Sequence, residues 1–153
     1  SAEDLPFDRS SFGTVLSFDV FEHIPDSDRH LQEVNRVLKP DGHYIFQTPN
    51  KWLNMIFEPI RFTRKFGVRN AFDFLNEHCS LHNYWELEKR LKYNGFEVKY
   101  YDIPVVNQYF ETKIKTYLGN LGILMLDLLD TFQFFERLPL ALRPNFFVQA
   151  IKR

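Results

Sequence analysis

The chain has 153 residues, 19 basic against 20 acidic, and 44% hydrophobic content, an ordinary balance for one soluble globular domain that leaves no basic footprint for nucleic acid. Its single cysteine, Cys79, excludes an internal disulfide, argues against a thiolate zinc site and fits a cytoplasmic protein. No run of eighteen uncharged apolar residues suggests an integral membrane segment, while seventeen Phe, seven Tyr and two Trp supply area for a thick core or an apolar pocket.

Residues 1 to 13 read as the end of a strand and a turn, with Pro6 stopping ladder formation. Thr14 to Phe18 is a short β-forming run without a polar face, the pattern of a strand buried on both sides. Asp19, Glu22 and His23 follow at its carboxyl end, where open α/β sheets bind ligands. Pro25 enforces an extended step, and Asp26, Ser27 and Asp28 offer capping oxygens and negative charge to a helix whose apolar face is Leu31, Val34, Val37 and Leu38. Lys39-Pro40-Asp41-Gly42 closes that helix with a turn, and Tyr44 to Thr48 reads as the next strand, which completes a βαβ unit. Residues 51–82 are rich in aromatics without clean periodicity and suit a lid over a cleft. Asn83 and Glu86 stand in capping-box spacing at the start of a helix with Leu87 and Leu91 inward and Gly95 at its end. Phe96 to Tyr101 alternates as a strand, residues 109–138 carry a wide apolar helical stripe, and Asn145 to Ile151 is a final strand expected to run antiparallel to Phe96–Tyr101.

Four pieces in register, Ser1-Ala2-Glu3-Asp4-Leu5-Pro6-Phe7, Ser17 to Asp26, Arg36 to Gly42 and Thr48-Pro49-Asn50, resemble the class I S-adenosylmethionine-dependent methyltransferases, in particular the small-molecule group. The resemblance implies an α/β, partial Rossmann-like fold: a doubly wound sheet with its last strand antiparallel. It also implies a missing N-terminal βαβαβ half, because only six glycines are present and none stands in a Gly-x-Gly loop. On this reading residues 1–153 are the carboxyl-terminal portion of one domain, with 51–82 as a lid and 109–138 as a helical insertion. The cofactor implied is S-adenosyl-L-methionine, held by Ser1, Ala2, Glu3, Leu5, Ser17, Phe18 and Asp19. The partner implied is a small-molecule acceptor met by Asn50, Trp52 and His78, and the fragment alone is expected to be inactive. Oligomeric state is left open.

The cluster Asp19, Glu22, His23 has three readings. Glu22 and His23 can be loop clamps bonded to backbone, or catalytic residues with His23 as the proton carrier, imidazole being suited to that task. The third reading is a metal site, since Asp19-x-x-Glu22-His23 resembles the acidic-x-x-Glu-His pattern of quinone-precursor O-methyltransferases. The catalytic assignment is taken forward and no metal ligands are assigned. The alternative to an enzyme is a non-catalytic methyltransferase-like module that binds a partner through its aromatic surface.

Overall fold

The computed structural model describes residues 1–52, 78–101, 119–122, 124, 128, 139–143 and 145–153. Most of the expected lid and of the 109–138 helix lies outside these residues. Among the described residues, four strands form one sheet in the order β1 (Phe12–Phe18), β2 (Leu38–Pro49), β4 (Asn145–Lys152), β3 (Phe96–Tyr101). β1 runs parallel to β2, whereas β4 is antiparallel to both β2 and β3, as expected for the final strand. Helix α1 (Ser27–Val37) makes the crossover from β1 to β2, and α2 (Tyr84–Tyr93) precedes β3.

Both helices begin where their capping residues dictate. Asp26 accepts the Arg29 amide at 3.0 Å, and Asn83 and Glu86 form the full capping box of α2, at 3.0 and 3.2 Å. The α1 carboxyl end is closed from a distance, because Lys152 Nζ donates to the Asn35 and Leu38 carbonyls at 2.6 and 2.8 Å.

The core lies on the helix-covered face of the sheet. Leu31 and Val34 of α1 and Leu87 and Leu91 of α2 pack against Tyr44 and Phe46 of β2, Phe96 of β3, and Phe146, Val148 and Ala150 of β4. The strand contributions alternate, so the opposite side chains share the other face. There Leu16 is 61% and Phe18 54% exposed.

Three expectations are corrected. No strand occurs within residues 1–11, which form turns and bends, because their backbone is tied to α1 side chains rather than to a ladder. The first strand is two residues longer than expected and is not buried on both sides. It is the sheet edge, and among the described residues nothing covers Leu16 and Phe18. The second strand begins at Leu38, directly after α1. Residues 39–42 bulge out of its register, since Phe12 faces Leu38 but Thr14 faces His43. The Asp-Gly turn survives inside that bulge: Asp41 has φ 59°, and a Cβ on Gly42 would lie 2.8 Å from the Lys39 carbonyl oxygen.

Candidate functional site at the carboxyl end of β1

Asp19 leaves β1 with φ 52°, a left-handed conformation that Asp tolerates better than most residues, and so turns the chain sharply. The next turn, a 3-10 helix at Phe21–His23, is anchored by Phe21, fully buried with its ring 5.1 Å from that of Phe46. Anchoring Phe21 inward drags Glu22 with it, to 2% exposure, and leaves His23 at the surface. The Glu22 carbonyl accepts the Ser80 amide at 2.9 Å, which ties the 78–82 loop to this turn. His78 thereby comes beside His23, with ring centroids 4.7 Å apart.

Glu22, His23 and His78 converge: one carboxylate oxygen and one nitrogen from each imidazole all lie within 4.8 Å of one another. Glu22 Oε2 is buried without a hydrogen-bond partner. Burial raises the Glu22 pKa and the Asp19 charge adds to this, while its backbone hydrogen bond and the nearby His23 and His78 oppose the shift. The sequence had His23 and His78 in separate roles. What joins them is the Ser80–Glu22 backbone bond, which no local pattern announces.

The residues assigned to the cofactor fall into two groups joined by a buried hydrogen-bond chain. His30 Nδ1 lies 2.8 Å from the Ala2 carbonyl, which can only accept, so Nδ1 carries the proton. Burial lowers the His30 pKa and keeps the ring neutral, so Nε2 accepts from the Tyr44 hydroxyl at 3.0 Å. The Tyr44 oxygen then accepts from Ser17 Oγ at 2.9 Å, and burial holds the phenol protonated by raising its pKa. Sequence reading missed His30 and Tyr44. A signal was present, since His30 lies one turn before Val34 on the apolar face of α1, where a polar residue needs a buried partner.

The 1–7 loop is clamped from the same helix. Arg29 Nε donates to the Glu3 carbonyl at 3.0 Å, and Glu3 Oε1 accepts the Asp26 amide at 2.8 Å. Glu33 accepts the Leu5 amide at 2.9 Å, and Arg36 donates to the Leu5 and Phe7 carbonyls at 3.0 and 2.8 Å. Hydrogen bonds from Arg36 and the Leu5 backbone pull the Glu33 carboxyl down to about 2. Ser1 Oγ accepts the Glu3 amide, and Ser1, Phe18 and Asp19 are exposed.

Of the expected acceptor residues, Asn50 is fully buried. Its amide donates to the Ala141 and Arg143 carbonyls at 2.9 and 2.8 Å and accepts the Trp52 backbone N–H at 3.1 Å, so it staples the start of the next segment to the 139–143 turn. Trp52 itself is exposed. An open groove of about 720 Å³ lies elsewhere, between the N-terminal ends of α1 and α2. Both of its cations are already paired, Arg90 with Asp28 and Lys51 with Glu86, which leaves the β1 end as the better candidate. No helix among the described residues is long and apolar enough to cross a membrane.

Comparison with known proteins agrees with this frame. A family profile described as a methyltransferase domain matches residues 1–46. An uncharacterized protein of Methanocaldococcus jannaschii, MJ1252, is 34% identical over 114 residues, covering 65% of this chain and 45% of that protein. The sarcosine/dimethylglycine N-methyltransferase of Halorhodospira halochloris is 47% identical over 47 residues, 31% of this chain and 17% of that enzyme. The chain thus spans less than half the length of these curated relatives. The solved structure of the YcgJ protein from Bacillus subtilis superposes over 100% of this chain and 69% of that one, with a TM-score of 0.58 at 20% identity, a likeness of fold. On these matches, residues 1–46 are similar to a methyltransferase domain, and the chain shares the fold of the YcgJ protein.

Proposed function

We propose that this chain contributes the acceptor side of a cytoplasmic enzyme that transfers a methyl group from S-adenosylmethionine to a small-molecule O-, N- or C-nucleophile. The observation that carries the reading is the convergence of Glu22, His23 and His78 at the carboxyl end of β1, the end at which open α/β sheets receive ligands. The residues present fit the cofactor: an exposed aromatic ring at Phe18 and an exposed carboxylate at Asp19 suit a ligand that carries positive charge. When bound, S-adenosylmethionine supplies a methyl group activated on a sulfonium sulfur.

The remaining work falls to the chain. Ser1, Ala2, Glu3 and Leu5 border the adenine, and the backbone of Ala2, Glu3 and Leu5 is held by Arg29, His30, Glu33 and Arg36 so that little freedom is lost on binding. Ser17, Phe18 and Asp19 border the methionine end. His23 accepts the proton that a hydroxyl or amine acceptor gives up, Glu22 fixes the turn that presents it, and Trp52 and His78 flank the acceptor. Asn50 acts one step back, by holding the backbone from which Trp52 projects.

The test is release of S-adenosylhomocysteine by the full-length protein over panels of phenolic, sugar, amine and lipid acceptors. Turnover is expected with at least one class. The 153 residues hold no Gly-x-Gly loop for close backbone approach, so by themselves they should be inactive and bind S-adenosylhomocysteine at least about 100-fold more weakly. Micromolar binding by the 153 residues alone would refute this placement of the cofactor. The exposed row Leu16, Phe18 and Val20 favours a second reading, a non-catalytic module that docks a partner there, and absence of turnover with retained partner binding would support it.

A further inference from the structure

We infer that Glu22, His23 and His78 form a binding site for a divalent transition-metal ion of the zinc type. Three observations carry this inference. The donors are two imidazoles and one carboxylate without a thiolate, a set suited to Zn²⁺ and, in three-ligand form, one that leaves a coordination position open. Their nearest donor atoms lie within 4.8 Å of one another. Tetrahedral ligation at about 2.1 Å requires donors roughly 3.4 Å apart, so each atom moves inward by under about 1 Å. Finally, Glu22 Oε2 is buried and lacks any hydrogen-bond partner, although Glu22 is only 2% exposed. A buried carboxylate oxygen left in that state is costly unless something completes it, and a cation between Glu22 and the two rings does so.

The set differs from the acidic-x-x-Glu-His spacing read in the sequence. Asp19 is not among the converging groups. Its charge still acts on Glu22 and adds to the negative potential that a cation would feel. His78 takes the third place, because the Ser80–Glu22 backbone bond holds its loop against the turn. Exposure of His23 leaves the open side toward solvent. An ion bound here uses the His23 lone pair, so the proton acceptance proposed for His23 belongs to the metal-free protein.

The site is tested without any reference to methyl transfer, which keeps its failure separate from failure of the proposed activity. The protein, stripped with chelator, is titrated with Zn²⁺ by calorimetry and with Co²⁺ by visible absorption, followed by thermal melting. One equivalent should bind with a dissociation constant of about 10 µM or tighter, raise the melting temperature and give the intense ligand-field bands of four-coordinate Co²⁺. His78→Ala and His23→Ala, both away from the core, should each weaken binding at least about 10-fold. Asp19→Asn and Cys79→Ser should leave the Co²⁺ spectrum unchanged. Glu22→Gln serves as a further variant where it folds. No saturable binding overturns the proposal, as does one-to-one binding that His78→Ala leaves intact or a spectrum that Cys79→Ser abolishes.

Discussion

His82 gives the clearest link between burial and a measurable quantity. It is 5% exposed, its ring centroid lies 5.7 Å from that of Phe21, and its Nδ1 is buried without a hydrogen-bond partner. Burial and then the charge of Arg90, with a minor part from Lys51, push its pKa down to about 4, against opposing effects from Glu86 and a hydrogen bond with the Ser80 backbone. The folded state therefore prefers the neutral ring, while in the unfolded chain the ring titrates near its ordinary value of about 6.5. The unfolded state binds more protons between these two values, so stability is fully present above about pH 6.5 and falls as pH drops, the loss being complete below about pH 4. At about 1.4 kcal/mol per unit, the loss at pH 5 is about 2 kcal/mol and the limiting loss about 3 kcal/mol. Urea unfolding at pH 7 and pH 5, on the wild type and on His82→Gln, isolates the effect, since the buried His30 contributes equally to both proteins. The variant should lose about 2 kcal/mol less than the wild type across that interval. Equal losses in the two proteins would show that the folded ring is protonated as readily as the unfolded one, and the reasoning fails.

Tyr44→Phe removes the middle of the Ser17–Tyr44–His30 chain and strands a buried ring nitrogen, at an expected cost of about 1 to 3 kcal/mol by urea titration. Leu87→Ala opens a cavity under α2 and should cost about 2 to 5 kcal/mol, against about 1 kcal/mol for Asn83→Ala, which loses the capping box. His23→Gln in the full-length enzyme should lower kcat about 100-fold or more with cofactor affinity and melting temperature nearly unchanged. A drop in melting temperature with turnover intact would instead make His23 a loop clamp. The 153-residue chain should self-associate through the open side of β1, and Leu16→Lys with Phe18→Lys should suppress this. A sharp wild-type monomer peak in light-scattering chromatography counts against it.

Local signals were read correctly where local physics decides. Asp26, Asn83 and Glu86 cap helices as their types and spacing require, the alternation in Phe96–Tyr101 gives a strand, and the final strand expected at Asn145–Ile151 is present. Elsewhere tertiary neighbours decide. Thr14 to Phe18 looks doubly buried because a strand's composition does not reveal which of its neighbours are in place. The 39–42 bulge was hidden because a turn sequence inside a strand reads the same as a turn between elements. At the site, Glu22 and His23 were legible from their position after an apolar strand. The approach of His78 was not, because it depends on a loop held through the Glu22 carbonyl from 58 residues further along (Ser80 less Glu22). His30 is not legible in the sequence because one polar residue on an apolar helix face has no visible partner until the strand beneath it is known.

The sheet order has a consequence for how the chain assembles during synthesis. β4 is the last of these four strands in chain order, yet it sits in the interior of the sheet, between β2 and β3. Until it arrives, β1 and β2 can pair beneath α1, but β3 and α2 have no ladder to join. The contact that seats β4 on β2 bridges positions 106 apart, His43 with Gln149, so its loop-closure entropy must be met before the pairing returns any stability. A nascent chain thus waits with two unjoined halves and exposed strand edges, a state open to chaperones and to misassociation. Slowing translation over the codons before β4 should lengthen that interval.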